Sequence, residues 1–91
     1  MTLLRGGFRH YDDDRMIVRF TMTQADTEVA CAVSSEAMDD MEGSRGTKPA
    51  QREAQFLRLR DRIEERAARK FAAAELEGNP AGIILRSIDF R

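Results

Sequence analysis

Apolar residues recur at two periods along this chain, and the change from one to the other locates most of its elements. From Met16, the side chains of Val18, Phe20 and Met22 fall on one side of an extended backbone and Ile17, Arg19 and Thr21 on the other. That is the alternation of a strand with one buried face. Gln24-Ala25-Asp26-Thr27 supplies a four-residue hairpin loop, and Val29, Cys31 and Val33 resume the inward face opposite Glu28, Ala30 and Ala32. Between Val29 and Met38 the period then shifts from two to near 3.6, with Ser34-Ser35 at the switch. Either serine can accept a hydrogen bond from an orphan amide, and Glu36 complements the positive helix start. A short helix over 34–42 follows, with Ala37, Met38 and Met41 inward and Gly43 as its left-handed stop.

The remaining segments are placed by their punctuation. Residues 1–15 read as an irregular leader, with Gly6-Gly7 breaking any pattern and Phe8 and Tyr11 able to dock on the core edge. The hairpin occupies 16–33, and two glycines and a proline make 43–49 a loop. A long helix is predicted over 50–77, because Phe56, Leu59, Ile63, Ala67, Phe71 and Ala74 form one apolar stripe. Gly78-Asn79-Pro80 closes it. The β-branched and aromatic run over 82–90 reads as a third strand, placed beside the first hairpin strand. The expected fold is α+β: one two-layer β-β-α-α-β domain over 1–91, with a three-stranded antiparallel sheet and two helices on one face.

Several of these residues are similar to a family of uncharacterised bacterial proteins, the domain of unknown function 1488. The likeness is carried by Tyr11-Asp12, by Val18 and Phe20, by Val29 with Cys31-Ala32-Val33-Ser34, and by Glu36-Ala37-Met38 at the switch. It continues through Phe56, Arg58, Arg62, Ile63-Glu64 and Ala67 to Asp89. The resemblance implies a two-layer domain with an antiparallel sheet and helices on one face, and no established activity. One departure is Ala25-Asp26 in the hairpin loop, where a glycine is expected.

Composition narrows the class without naming a role. A chain of 91 residues buries only roughly 60 to 65% of its unfolded surface, so the core is small. At 42% hydrophobic and 34% charged residues it reads as a folded soluble chain. One cysteine excludes an internal disulfide, no apolar run reaches a membrane span, and the start of the chain turns polar too soon for a secretory signal. A cytoplasmic protein without membrane contact is expected. The net charge of -1 hides an asymmetry: residues 10–42 carry nine acids against two arginines, and residues 52–70 carry seven bases against four acids. The basic helix is expected to lie near the acidic hairpin.

No residues stand at a spacing that a recognised reaction requires, so no catalytic group and no cofactor are expected. Cys31 alternates with Val29 and Val33 inside a strand, which makes it packing, although its closeness to a helix start leaves a redox role conceivable. His10, Asp12 and Asp14 share a side if extended, enough for a weak cation site but not for a committed metal centre. Adjacent carboxylates such as Asp39-Asp40 and Glu64-Glu65 diverge on a helix and share no proton.

The strongest functional feature is the row Arg58, Arg62, Arg66 and Arg69 on the long helix, extended by Arg52. Arginines at this spacing repel unless an anion or acidic partner lies across them, while Asp61 and Glu65 offset part of the charge. Two functions of different class follow. One is a non-catalytic interaction domain that binds a protein partner or a second copy of itself through a sheet face or edge, the outer face being partly apolar through Ile17, Ala30, Ala32 and Ile83 or Ile84. The other is a nucleic-acid-binding regulator that reads phosphates with the arginine row.

Overall fold

Strands β1 (Leu4–Asp12), β2 (Ile17–Gln24), β3 (Thr27–Ser34) and β4 (Ile83–Leu85) form one sheet in the order β1-β2-β3-β4 in a computed structural model that describes residues 3–78 and 81–91. β1, β2 and β3 run antiparallel, and β4 lies parallel to β3. Helices α1 (Ser35–Glu42) and α2 (Arg52–Ala72) cover one face. A 3-10 turn at Pro49–Gln51 precedes α2, and another at Ser87–Phe90 follows β4.

The expected three-stranded antiparallel sheet is therefore a four-stranded mixed one. The missed strand is β1, placed where an irregular leader was expected. Its alternation is hidden by register shifts between Arg5 and Phe8 and between Phe8 and His10, which change the face on which successive side chains lie. Gly6 is required there, because a Cβ would collide with the carbonyl oxygen of Thr21. Phe8 and Tyr11 do pack against the core, as strand residues opposite Phe20 and Val18.

The strand-to-helix switch has the predicted geometry. Ser34 is the cap, its Oγ accepting from Ala37 N at 3.1 Å, and Gly43 ends α1 at φ 65. The hairpin loop is shorter than expected: Gln24 pairs with Thr27, so Ala25-Asp26 makes a two-residue turn with Ala25 at φ 52. That is the conformation for which glycine is favoured.

α2 ends at Ala72, short of the predicted 77. Ala74 takes a left-handed φ of 56, and Ala74 N and Glu75 N donate to Phe71 O and Lys70 O, closing the helix without a glycine. The Ala72-Ala73-Ala74 run has helical propensity, but the chain must turn back here to carry 83–85 to the sheet, and tertiary pairing overrides it. Of the predicted terminator, Asn79 and Pro80 lie outside the described residues, as do Met1 and Thr2 at the start of the leader. The predicted C-terminal strand shrinks to Ile83–Leu85, because Asp89 accepts from Arg86 N at 2.7 Å and turns 87–90 into a 3-10 helix. That strand lies beside β3, not beside β2. Gly82 lets it approach: a Cβ there would stand 2.5 Å from Ala30 O.

The core contains most of the predicted inward residues and adds Leu3, Ile83 and Leu85, while Val29, Met41 and Phe71 are only partly buried at its edge. Val18, Phe20, Cys31 and Val33 of the sheet, with Ile83 and Leu85 of β4, meet Met38 of α1 and Phe56, Ile63 and Ala67 of α2. Phe20 and Phe56 stack with ring centroids 5.0 Å apart. Ala74, assigned to the apolar stripe, is exposed beyond the helix end.

Candidate functional site

The arginine row does not form a free ridge. Arg58 makes a bidentate pair with Glu42 of α1, Nε to Oε2 at 2.8 Å and Nη2 to Oε1 at 3.0 Å. Arg66 Nε donates to the Asp89 carbonyl at 2.7 Å, and Arg69 pairs with Glu65 at 2.9 Å. Arg62 alone of the four has no ion pair among the described residues. Arg52, the proposed extension, is buried: its Nη1 donates to Asp39 at 2.8 Å and to Gln55 at 2.7 Å, and its guanidinium lies 5.6 Å from the Tyr11 ring centroid. Burial alone would raise the Asp39 pKa, but hydrogen bonds from Arg52, Gln55 and Thr47 outweigh it and hold the carboxyl below its ordinary range. The basic helix thus meets the acids of α1, Asp39 and Glu42, more than those of the hairpin. Asp61, expected to offset Arg58, pairs with Arg5 of β1 instead.

α2 also reaches both edge strands. Arg60 Nη2 donates to Gly6 O on β1 at 3.2 Å, and Lys70 Nζ donates to Ile84 O on β4 at 2.9 Å. Long cationic side chains laid on edge carbonyls remove acceptors that another strand would use.

The face of the sheet away from the helices is only partly covered: Ala30 is exposed, Ile17 and Ile84 are half-buried and Ala32 is buried. A groove of about 800 Å³ runs over it, floored by Ile17, Ala30, Ala32 and Ile84. Arg19, Ala32 and Ile84 form one row across three strands, since Arg19 pairs with Ala32 and Ala32 with Ile84. Of the two isoleucines weighed for this face, Ile84 lies on it and Ile83 is in the core. Arg15, Arg19, Arg86 and Arg91 make the rim, with Glu36 and Glu77 between them. Glu77 is held below the ordinary carboxylate range by the Arg86 guanidinium, which it accepts at 2.8 and 3.0 Å. A second groove, of about 520 Å³, lies between α2 and the C-terminal turn and is lined by Arg62, Arg66, Arg69 and Arg91.

Similarity to known proteins agrees with this architecture. The model of a family described as "Protein of unknown function (DUF1488)" matches residues 6–85. The chain belongs to the DUF1488 family. A solved structure of a DUF1488 protein of unknown function from Shewanella loihica PV-4 superposes with a TM-score of 0.77 at 16% sequence identity, covering 93% of each chain. At that identity the likeness concerns the fold. No curated protein matches the sequence.

The groups weighed for chemistry from the sequence stand apart from one another among the described residues of this DUF1488 domain. Cys31 donates weakly to Val29 O at 3.6 Å, and burial pushes its thiol up to about 12, far from a thiolate at neutral pH. Among the described residues no three His, Cys, Asp or Glu side chains converge on one point. Asp12, weighed as a ligand with His10 and Asp14, accepts from Arg15 N at 3.2 Å and lies near the Arg15 and Arg19 guanidiniums. None of the described helices is long and apolar enough to cross a membrane. The arginines at 15, 19, 86 and 91 were not singled out from the sequence as a group. Alternation already places Arg19 outward with Ile17, but only the pairing of β4 with β3 brings Arg86 and Arg91 to the same face.

Proposed function

We propose that this DUF1488 chain is a non-catalytic interaction domain that docks another polypeptide on the outer face of its sheet. The observation that carries this reading is the half-open groove with an aliphatic floor and an arginine rim, on a domain whose described helices α1 and α2 pack on the opposite side. Apolar floor with polar rim is the general anatomy of a protein interface. Pairing through an edge is disfavoured by Arg60 and Lys70 on the edge carbonyls, which leaves the face. Pairing the face with a second copy about a two-fold axis brings together two rims in which arginines outnumber Glu36 and Glu77, so self-association is disfavoured as well. Nucleic-acid binding by the α2 row is weakened by the committed charges of Arg58, Arg66 and Arg69.

The reading is tested by a photocrosslinking residue in place of exposed Ile88, with exposed Glu53 on the helix side as control. A discrete polypeptide adduct at position 88 and none at position 53 is expected. An adduct of twice the chain mass identifies a second copy and, with a nucleic-acid adduct or none at position 88, overturns the proposal.

A further inference from the structure

The outer-face groove and the α2 groove meet at one short turn. Ile88 and Arg91 line both, and Ile88 stands between them 71% exposed. Each groove carries four arginine side chains against two side-chain carboxylates among the described residues. Part of that charge is already neutralised, since Glu77 holds Arg86, Glu65 holds Arg69 and Asp89 holds Arg66. Arg62 and Arg91 have no ion pair among the described residues, while Arg15 and Arg19 share the single carboxylate of Asp12 at 4.0 and 3.8 Å. Incompletely neutralised arginines therefore flank an exposed isoleucine and an aliphatic floor from two sides.

From this arrangement we infer that the partner is an acidic polypeptide segment carrying a large apolar side chain, laid over the Ile88–Arg91 turn across both grooves. Its carboxylates pair with Arg62 and Arg91 on one side and with Arg15 and Arg19 on the other. Its apolar side chain covers exposed Ala30 and half-buried Ile84 against Ile88. Arginine suits this task because its planar fork grips a carboxylate with two parallel hydrogen bonds. The floor selects polypeptide over nucleic acid: bases stack on aromatic rings, and the one aromatic residue lining either groove, Phe90, is partly buried against the core. Glu36 and Glu77 on the rim oppose a continuous phosphate backbone. The inference rests on the outer face being a docking surface, and it adds the chemistry of what docks.

The test uses the full chain, isotope-labelled for amide spectra, with three probes: a short peptide alternating glutamate and leucine, its lysine-leucine counterpart, and a single-stranded oligonucleotide. The glutamate-leucine peptide is expected to shift the amides of Ala30, Ala32, Ile84 and Ile88 at low salt. Ile88→Asp and Arg91→Glu, both at exposed positions, should each weaken it about tenfold, and added salt should weaken it further. Circular dichroism verifies that the variants fold. If the lysine-leucine peptide or the oligonucleotide shifts those amides instead, the face docks a ligand but the acidic partner is overturned. If no probe shifts them, both the partner and the docking surface fall, and the same holds if the glutamate-leucine peptide binds elsewhere or binds both variants as tightly as the wild type.

Discussion

Asp89→Asn isolates the charge that fixes the turn bearing Ile88 and Arg91. Asp89 accepts from Arg86 N at 2.7 Å and lies 3.3 Å from Lys70 Nζ and 3.5 Å from Arg66 Nη2. Its side chain is 11% exposed and that of Lys70 is 9% exposed. Asparagine keeps an acceptor for Arg86 N and removes the countercharge, so the nearly buried ammonium keeps Ile84 O and a neutral amide oxygen in place of the carboxylate. Breaking a buried pair on one side costs about 3–5 kcal/mol. The surviving bond to Ile84 O and the residual exposure bring the expected loss to about 2–3 kcal/mol, or roughly 8–24 °C in Tm for a domain of this size. Thermal and urea unfolding followed by circular dichroism measure it.

The pH dependence supplies a second readout. Burial pushes the Asp89 carboxyl up, but the Arg86 amide and the Lys70 ammonium outweigh it and hold it below the ordinary range. A depressed folded pKa gives stability that is complete above the unfolded value and lost as pH falls through the folded one. The acid limb of the stability curve should therefore be shallower in Asp89→Asn. Lys70→Met/Asp89→Asn, with neither charge, should recover part of the loss. A change within ~0.5 kcal/mol of wild type, the size of an ordinary surface substitution, would refute the assignment of Asp89 and Lys70 as a stabilising clamp.

Three further outcomes are expected. Ala25→Gly and Ala74→Gly, at left-handed φ values of 52 and 56, should each raise stability by about 0.5–1 kcal/mol in urea titrations, and a loss at either would contradict the turn geometry. Gly82→Ala should lower it by about 1–3 kcal/mol, since its Cβ meets Ala30 O and must push β4 from β3; unchanged amide protection of Ile83 to Leu85 would argue otherwise. The Cys31 thiol should resist an aromatic disulfide reagent at pH 8 in the folded protein and react promptly in denaturant, whereas fast native reaction would mean an accessible thiolate.

Local periodicity determined much of this protein. The alternation from Val18 to Val33, the serine cap, the Gly43 stop and the apolar stripe of α2 specify their own elements, because each depends on residues within a turn or two of one another. Most inward side chains of those elements enter the core, with Val29, Met41 and Phe71 only partly buried at its edge and Ala74 exposed. The sequence also marked Arg58, Arg62, Arg66 and Arg69 as a row, and helical spacing does place them along α2. Whether that row is free charge depended on residues far along the chain, for Glu42 and Asp89 come from α1 and the last turn. β1 went unread because two register shifts break its period, and β4 was misplaced because nothing local distinguishes a parallel from an antiparallel neighbour in three residues. That parallel pairing, made possible where Gly82 meets Ala30, carries Ile84, Arg86, Ile88 and Arg91 onto the outer face beside Arg15 and Arg19. A surface assembled from three distant segments leaves no periodic trace in any of them, so only tertiary structure decided where the candidate site lies.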